Sequence, residues 1–335
     1  MMLSLYYQPI FTRGKLALNW TTCLTLIFIS MILTSCQDHD NSIGYLPPEN
    51  ALYTGENIKI QLSCGDILAG TLTLPKNKAQ KVPAVVLITG SSTHDRDNSK
   101  PGAPENAYRP FRQIAGKLSS NGIAVLRMDD RSIGASSGGD ITHMTTPERA
   151  DDIKQCIAYL RNREETNGSQ IGLIGLSEGA SIAHMIASED QRIAFVVLLS
   201  GIGSKGKEII RYQVKHGLIN EKDLPDMLKR NKNLRYLYGF DPLKTARHIR
   251  QPVLIIHGKT DRRVPFTDAI KLEKAIRSNG NRNVTVRILP GYNHLLLKEH
   301  SNGTSTRYGN LSSNKIPEEV LTIIADWLMA RMLQC

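Results

Sequence analysis

Residues 171–180 read IGLIGLSEGA and run directly into SIAHMIASE, 181–189. The first half is a short apolar run with no polar face, the pattern of a strand covered on both sides of a sheet. The second half has helical periodicity. Between them Gly175, Ser177 and Gly179 form a Gly-x-Ser-x-Gly string. Gly and Ser are abundant residues, so five positions carry little weight alone. Strand, sharp turn and helix together are the setting in which a serine hydroxyl is pushed into the open as a nucleophile. In that setting the N–H of Glu178 stands at a helix start, where backbone donors are unpaired and favour negative charge.

Similar apolar runs recur along the chain: PAVVLIT (83–89), IAVLRM (123–128), AFVVLLS (194–200), PVLIIHG (252–258) and VTVRIL (284–289). Amphipathic segments at 108–122, 146–163, 180–189, 266–280 and 317–333 separate them, with Thr146 expected as an N-cap before Pro147. Ahead of these, NIKIQLS and ILAGTLTLP flank Cys64-Gly65-Asp66 and predict an antiparallel hairpin. The reading is an α/β fold with a mostly parallel central sheet, an N-terminal antiparallel hairpin and a small helical cap insertion. The cap is placed at about 202–250, where no strand signal appears and two or three helices are expected. Inserted there, it lies at the sheet edge where open α/β sheets bind ligands.

Two further strand ends carry chemistry. Asp261 follows PVLIIHG and His294 follows VTVRILP, each just past a different strand. Ser177, Asp261 and His294 thus occur in nucleophile–acid–base order on one sheet edge. A serine hydroxyl at its own pKa is a poor nucleophile, so a base must take its proton and return it to the leaving group. The acid fixes the tautomer of that base. An oxyanion site needs two N–H donors. Glu178 supplies one, and the loop after PAVVLIT (GSSTHDRD) is expected to supply the other. There Gly90 is expected to permit an unusual turn and Ser91 to donate, with Ser92 as its rival.

The first 35 residues read as a signal segment. Arg13 and Lys15 precede the apolar run CLTLIFISMIL (23–33), which is too short to span a bilayer. LTSC (33–36) resembles the bacterial lipobox, which implies lipidation at Cys36, a polar tether over 36–55, and an exported domain over 56–335 held on a membrane of the cell envelope. Of the five cysteines, Cys156 has core spacing, and a Cys64–Cys335 bridge is left open. The formal charge of +11 comes from scattered Lys and Arg without a nucleic-acid motif, so it reads as solvated surface and nucleic acid is excluded as a partner. No His/Cys cluster has metal-ligand spacing, and neither metal nor cofactor is expected.

GDILAGTLTLP, ITGSSTHDRDN, VLRMDDRSIGASSG, IGLIGLSEGA, HGKTDRRVP and LPGYNHLLL together resemble bacterial α/β-hydrolases of the carboxylesterase and serine-aminopeptidase-like branch, over about 58–332. Relatives often carry His and Gly where this chain has Leu176 and Ala180, and Gly where it has Ser132. The resemblance implies a serine hydrolase acting on short-acyl esters. The alternatives are an aminopeptidase, a polysaccharide acyl-esterase and a non-catalytic binding protein. It also implies a structural role for Asp129, Asp130 and Arg131. His94 and Asp95 are expected to bond their own loop, His184 and His257 to be packed, the Glu178 carboxylate to pair with an Arg, and Asp268 to be a helix-surface charge.

Overall fold

A computed structural model describes residues 45–76, 80–104, 106–139, 143–299 and 313–332. The segment read as a signal, Cys36 and Cys335 lie outside the described residues. Eight strands form one sheet: β1 (Tyr53–Gln61), β2 (Ile67–Pro75), β3 (Val82–Ile88), β4 (Ala124–Met128), β5 (Thr166–Leu176), β6 (Val196–Leu199), β7 (Val253–Gly258) and β8 (Val284–Leu289). Their spatial order is β1-β2-β4-β3-β5-β6-β7-β8. β1 and β2 pair antiparallel, as does β2 with β4, and every later pair is parallel. The hairpin turns at Gly65, whose φ of 94° suits a residue without Cβ.

The inner apolar runs are buried on both faces because helices cover both, whereas β8, at the sheet edge, leaves Arg287 exposed. One face packs α2 (Thr146–Arg161), α3 (Glu178–Glu189) and α8 (Thr267–Arg277) through Cys156, Ile157, Ile182, Ile186 and Leu272. The other packs α1 (Pro110–Ser120) and α9 (Glu318–Met332) through Phe111, Ile114, Leu118, Val320 and Leu328. Successive strand residues alternate between the two cores: Val86 and Ile88 face one, Val85 and Leu87 the other. Each fully buried Val, Leu or Ile contributes roughly 1.5–3 kcal/mol.

Strand order reverses at β3, which lies between β4 and β5. The loops leaving the carboxyl ends of β3 and β5 therefore diverge around a crevice, the usual ligand position in such sheets.

The insertion between β6 and β7 folds as four short helices and a 3₁₀ turn, Glu221–Asp223, rather than two or three helices. They are α4 (Gly206–Lys215), α5 (Leu224–Arg230), α6 (Lys232–Gly239) and α7 (Pro242–Ala246). The extra breaks have local causes. Asn231 accepts the Leu234 N–H at 2.8 Å and restarts the chain as α6. Asp241 accepts from Leu243 N at 3.2 Å, with Pro242 opening α7. The N-cap of α2 is Thr145, not Thr146. Glu148 accepts both the N–H (2.6 Å) and the hydroxyl (2.8 Å) of Thr145, which moves the start back by one residue.

Within the segment read as a tether, β1 already begins at Tyr53 and Tyr45 is held by the domain. The Tyr45 carbonyl accepts from Arg127 at 3.2 Å, and the Arg96 guanidinium lies 4.4 Å from its ring centre.

Candidate active site

β5 ends at Leu176 and α3 begins at Glu178, so one residue, Ser177, makes the whole reversal. Its φ of 58° and ψ of −116° are uncommon for a residue with a Cβ. The turn is fixed by Ser177 N–H donating to Leu199 O at 2.8 Å and by Ala180 N–H returning to Ser177 O at 3.0 Å. The flanking glycines are steric requirements. A Cβ on Gly175 would sit 2.1 Å from the Gly179 carbonyl oxygen, and one on Gly179 would sit 2.2 Å from the Ile88 carbonyl oxygen.

His294 and Asp261 meet. His294 Nδ1 lies 2.7 Å from Asp261 Oδ2, and both side chains are buried. That contact leaves Nε2 as the ring nitrogen available for chemistry. The second Asp261 oxygen accepts the N–H groups of Arg263 (2.7 Å) and Val264 (3.0 Å), which fixes the carboxylate plane. Burial pushes the Asp261 pKa up, but His294 and His257 outweigh it and hold the carboxyl well below its ordinary range. The loop that carries His294 is anchored too. Its His294 carbonyl accepts the Ser200 hydroxyl at 2.8 Å, and Gly258 passes so close to Tyr292 that a Cβ would lie 2.2 Å from the Tyr292 carbonyl oxygen. Ser177 and His294 are therefore tied to adjacent residues at the end of β6, Leu199 and Ser200. The Ser177 hydroxyl makes no hydrogen bond, to His294 or to another group, among the described residues. Contacts of this kind commonly tighten only with substrate bound.

The loop after β3 lies against the elbow. A Cβ on Gly90 would be 3.5 Å from Ser177 Cβ. The unusual backbone expected at Gly90 falls instead on Ser92 (φ 77°) and Asn98 (φ 57°). Gly90 itself keeps ordinary φ, with its N–H accepted by Asn98 at 3.1 Å and its carbonyl accepting from Arg149 at 3.1 Å. Asp95 Oδ1 accepts from Asp97 and Ser99, and His94 Nδ1 lies 3.1 Å from Ser92 O, so both residues bond their own loop as expected. Among the described residues, the Ser91 and Glu178 N–H groups have no backbone acceptor.

The Glu178 carboxylate is fully buried and pairs with an Arg, as expected. Arg149 Nη1 is 3.2 Å from Oε1, which also accepts Thr146 Oγ1 and Asn233 Nδ2, each at 2.8 Å. Burial raises the Glu178 pKa, but Arg149, Asn233 and Thr146 together bring it below the ordinary value.

The remaining candidates divide. Asp129 is structural: it binds the buried Arg96 guanidinium at 2.6 Å. Arg131 joins Asp152 (2.6 Å) and Asp66. His184 is packed, with Nδ1 2.8 Å from Thr245 Oγ1. Cys156 is core, and Cys64 is an exposed free thiol. Asp268 is not a surface charge. It is completely buried and accepts Gly203 N–H, Ser204 N–H and Ser204 Oγ, because the chain leaving β6 exposes donors that an anion must satisfy. His257 is buried as expected, but it also touches Asp261: its Nε2 lies 3.0 Å from Asp261 Oδ2, and its Nδ1 has no partner among the described residues. Arg149, Asn233 and Tyr212, which donates to Asp261 O at 2.8 Å, were not singled out from the sequence. Nothing in their local sequence marks them, since their partners lie far away along the chain.

The fold is shared widely. A Pyrococcus furiosus esterase superposes with a TM-score of 0.60 at 19% identity, over 83% of this chain and 91% of its own. Est1E from Butyrivibrio proteoclasticus, solved with ferulic acid bound, gives 0.60 at 19% identity over 82% and 99%. The polyketide transferase grgF of Penicillium sp is 25% identical over 122 residues, 36% of this chain and 37% of that protein. The chain thus matches little more than a third of that relative's length, and other curated relatives are matched over 29% and 24% of theirs. Such likeness establishes the α/β-hydrolase fold. Residues 119–308, more than half of the chain and inclusive of Ser177, Asp261 and His294, match a family as a block. On that match the chain belongs to the prolyl oligopeptidase family.

Proposed function

We propose that this α/β-hydrolase is a serine esterase acting on short-acyl esters through an acyl-enzyme, with Ser177, His294 and Asp261 as its triad. The observation that carries the reading is the 2.7 Å contact of His294 Nδ1 with a carboxylate held ionised, on the same sheet edge as a serine forced into positive φ. Ser177 Oγ attacks the ester carbonyl carbon and His294 Nε2 takes its proton. The N–H groups of Ser91 and Glu178 receive the oxyanion, each such donor contributing ~2.7–4 kcal/mol. His294 returns the proton to the leaving alcohol, and water then repeats the sequence on the acyl-enzyme.

An ester is favoured over a peptide with a free N-terminus by the state of the local acids. An ammonium group needs an unspent carboxylate. Asp261 and Asp268 are buried and consumed by internal donors, and Glu178 is fully buried with its charge already paired to Arg149. The similar proteins include an esterase and a polyketide transferase by name, which agrees with transfer of an acyl group to water or to another hydroxyl.

A fluorophosphonate probe is expected to label the wild-type protein and not Ser177→Ala, and 4-nitrophenyl acetate to be cleaved faster than aminoacyl 4-nitroanilides. Labelling of both proteins, or of neither, removes Ser177 as the nucleophile.

A further inference from the structure

One guanidinium touches both segments that bear the proposed oxyanion donors. Arg149, on the first turns of α2 and almost completely buried, donates from Nη2 to Gly90 O (3.1 Å), Thr89 Oγ1 (3.0 Å) and Thr89 O (3.4 Å). Its Nη1 pairs with Glu178 at 3.2 Å. A trans peptide is planar, and its C=O and N–H point to opposite sides. Holding the Gly90 carbonyl toward Arg149 therefore aims the Ser91 N–H the other way. The preceding peptide is held at both ends as well, by Arg149 on Thr89 O and by Asn98 on Gly90 N–H.

The lock reaches the cap. Asn233, on α6, donates to the same Glu178 oxygen that Arg149 pairs with, and its own Oδ1 accepts the Thr146 N–H at 2.9 Å and lies 3.1 Å from the Thr146 hydroxyl. Beside it Lys232 pairs with Glu148 at 2.8 Å, a second bond from α6 to the start of α2.

We infer that Arg149 is a positioning residue that sets the direction of the Gly90–Ser91 peptide and its register with Glu178, and that Asn233 of the cap completes this arrangement. Cap docking and oxyanion stabilisation are then one event. With the cap displaced, Glu178 loses a donor and Arg149 is shared differently between Glu178 and the loop. This rests on the esterase reading above.

The test uses the full chain, 4-nitrophenyl acetate, and a trifluoromethyl ketone whose adduct with Ser177 carries the oxyanion. The wild type first decides the reading itself: no labelling and no turnover ends it whatever the variants do. Given an active wild type, Arg149→Lys keeps the charge but loses the fork. It is expected to lower kcat by about 100-fold, the scale of one lost oxyanion donor. KM should stay within about twofold, because only transition-state contacts are lost, and the ketone Ki should rise in proportion to the fall in kcat. Asn233→Ala is expected to show the same signature at about tenfold, and the double variant to be less than additive. A fall in kcat with an unchanged ketone Ki, or additive effects, overturns the inference. If Arg149→Lys does not fold, Asn233→Ala decides alone: kcat and Ki moving together supports the coupling, and either moving without the other, or neither moving, refutes it.

Discussion

The Asp130 carboxylate accepts the Thr89 hydroxyl at 2.7 Å and the His94 N–H at 2.8 Å, yet burial holds its pKa up at about 6. Its folded value lies above its unfolded one, so folding favours the protonated form. That contribution is full below about pH 4 and is lost as pH rises through 6. The distance from the ordinary carboxylate value corresponds to about 3 kcal/mol. Asp130→Asn removes the titration, so its urea stability relative to wild type should shift by roughly that amount in the variant's favour between pH 4 and pH 7. His94, lowered to about 4 by burial and then by Arg149, titrates in both proteins. A gap that does not move with pH would show that Asp130 ionises as an ordinary exposed acid. At this scale the sequence was most legible where a residue type matched a strand end, as at Asp261 and His294. It was least legible where a side chain reaches across the fold. Arg149 is one Arg among many, and Asp268 sits at a helix position that reads as solvated until the Gly203–Ser204 turn is seen above it.

Among the elements, the strands were legible almost to the residue, because short apolar runs stand out between amphipathic segments even where they admit a polar side chain, as at the buried Arg127 of β4 and the exposed Arg287 of β8. The run 284–289 is strand β8 as read, and 171–175 lengthens mainly toward its amino end. Helix starts were less legible. Thr145 and Thr146 are chemically alike, and only the reach of Glu148 selects the first. The junction of β5 with α3 carries a sharp expectation. Gly179→Ala drives a methyl into the Ile88 carbonyl, and backbone cannot yield as a flexible side chain does. The expected cost is at least about 3 kcal/mol, the upper range for overpacking a well-packed interior. Thermal melting measures it, and a loss below about 1 kcal/mol would mean that β3 and α3 separate more readily than their packing indicates. Gly139, which has open space around it, is the control and should accept alanine with little change.

For the whole molecule, the parallel sheet, the hairpin and the position of the cap were readable because each rests on the order of elements. The internal division of the cap was not, since its breaks depend on Asn231 and Asp241 side chains folding back on the backbone. The Lys and Arg are also less evenly scattered than they read: twelve of them, against five Asp and Glu, fall within 202–250, which makes the cap a basic part of the chain. Membrane attachment belongs to this scale. If Cys36 carries the lipid, Cys36→Ser should move the protein from the membrane to the soluble fraction on cell fractionation, since acyl chains supply ~0.8 kcal/mol per buried CH₂. Continued sedimentation with membranes would assign the attachment to the uncleaved apolar segment.

Both stems of the insertion are gripped by residues that do not belong to it. Asp268 holds Gly203 and Ser204 on the way out, and Asn281 holds the carbonyls of Ile249 (3.1 Å) and Gln251 (2.8 Å) on the way back. The scaffold therefore offers two fixed sockets, and what is plugged between them can change length and shape without disturbing the strands on either side. Chimeras that exchange 205–240 for a foreign cassette and keep α7, whose Ala246 belongs to the core, should still fold, with a new substrate preference written by the graft and a lower kcat where Asn233 is lost.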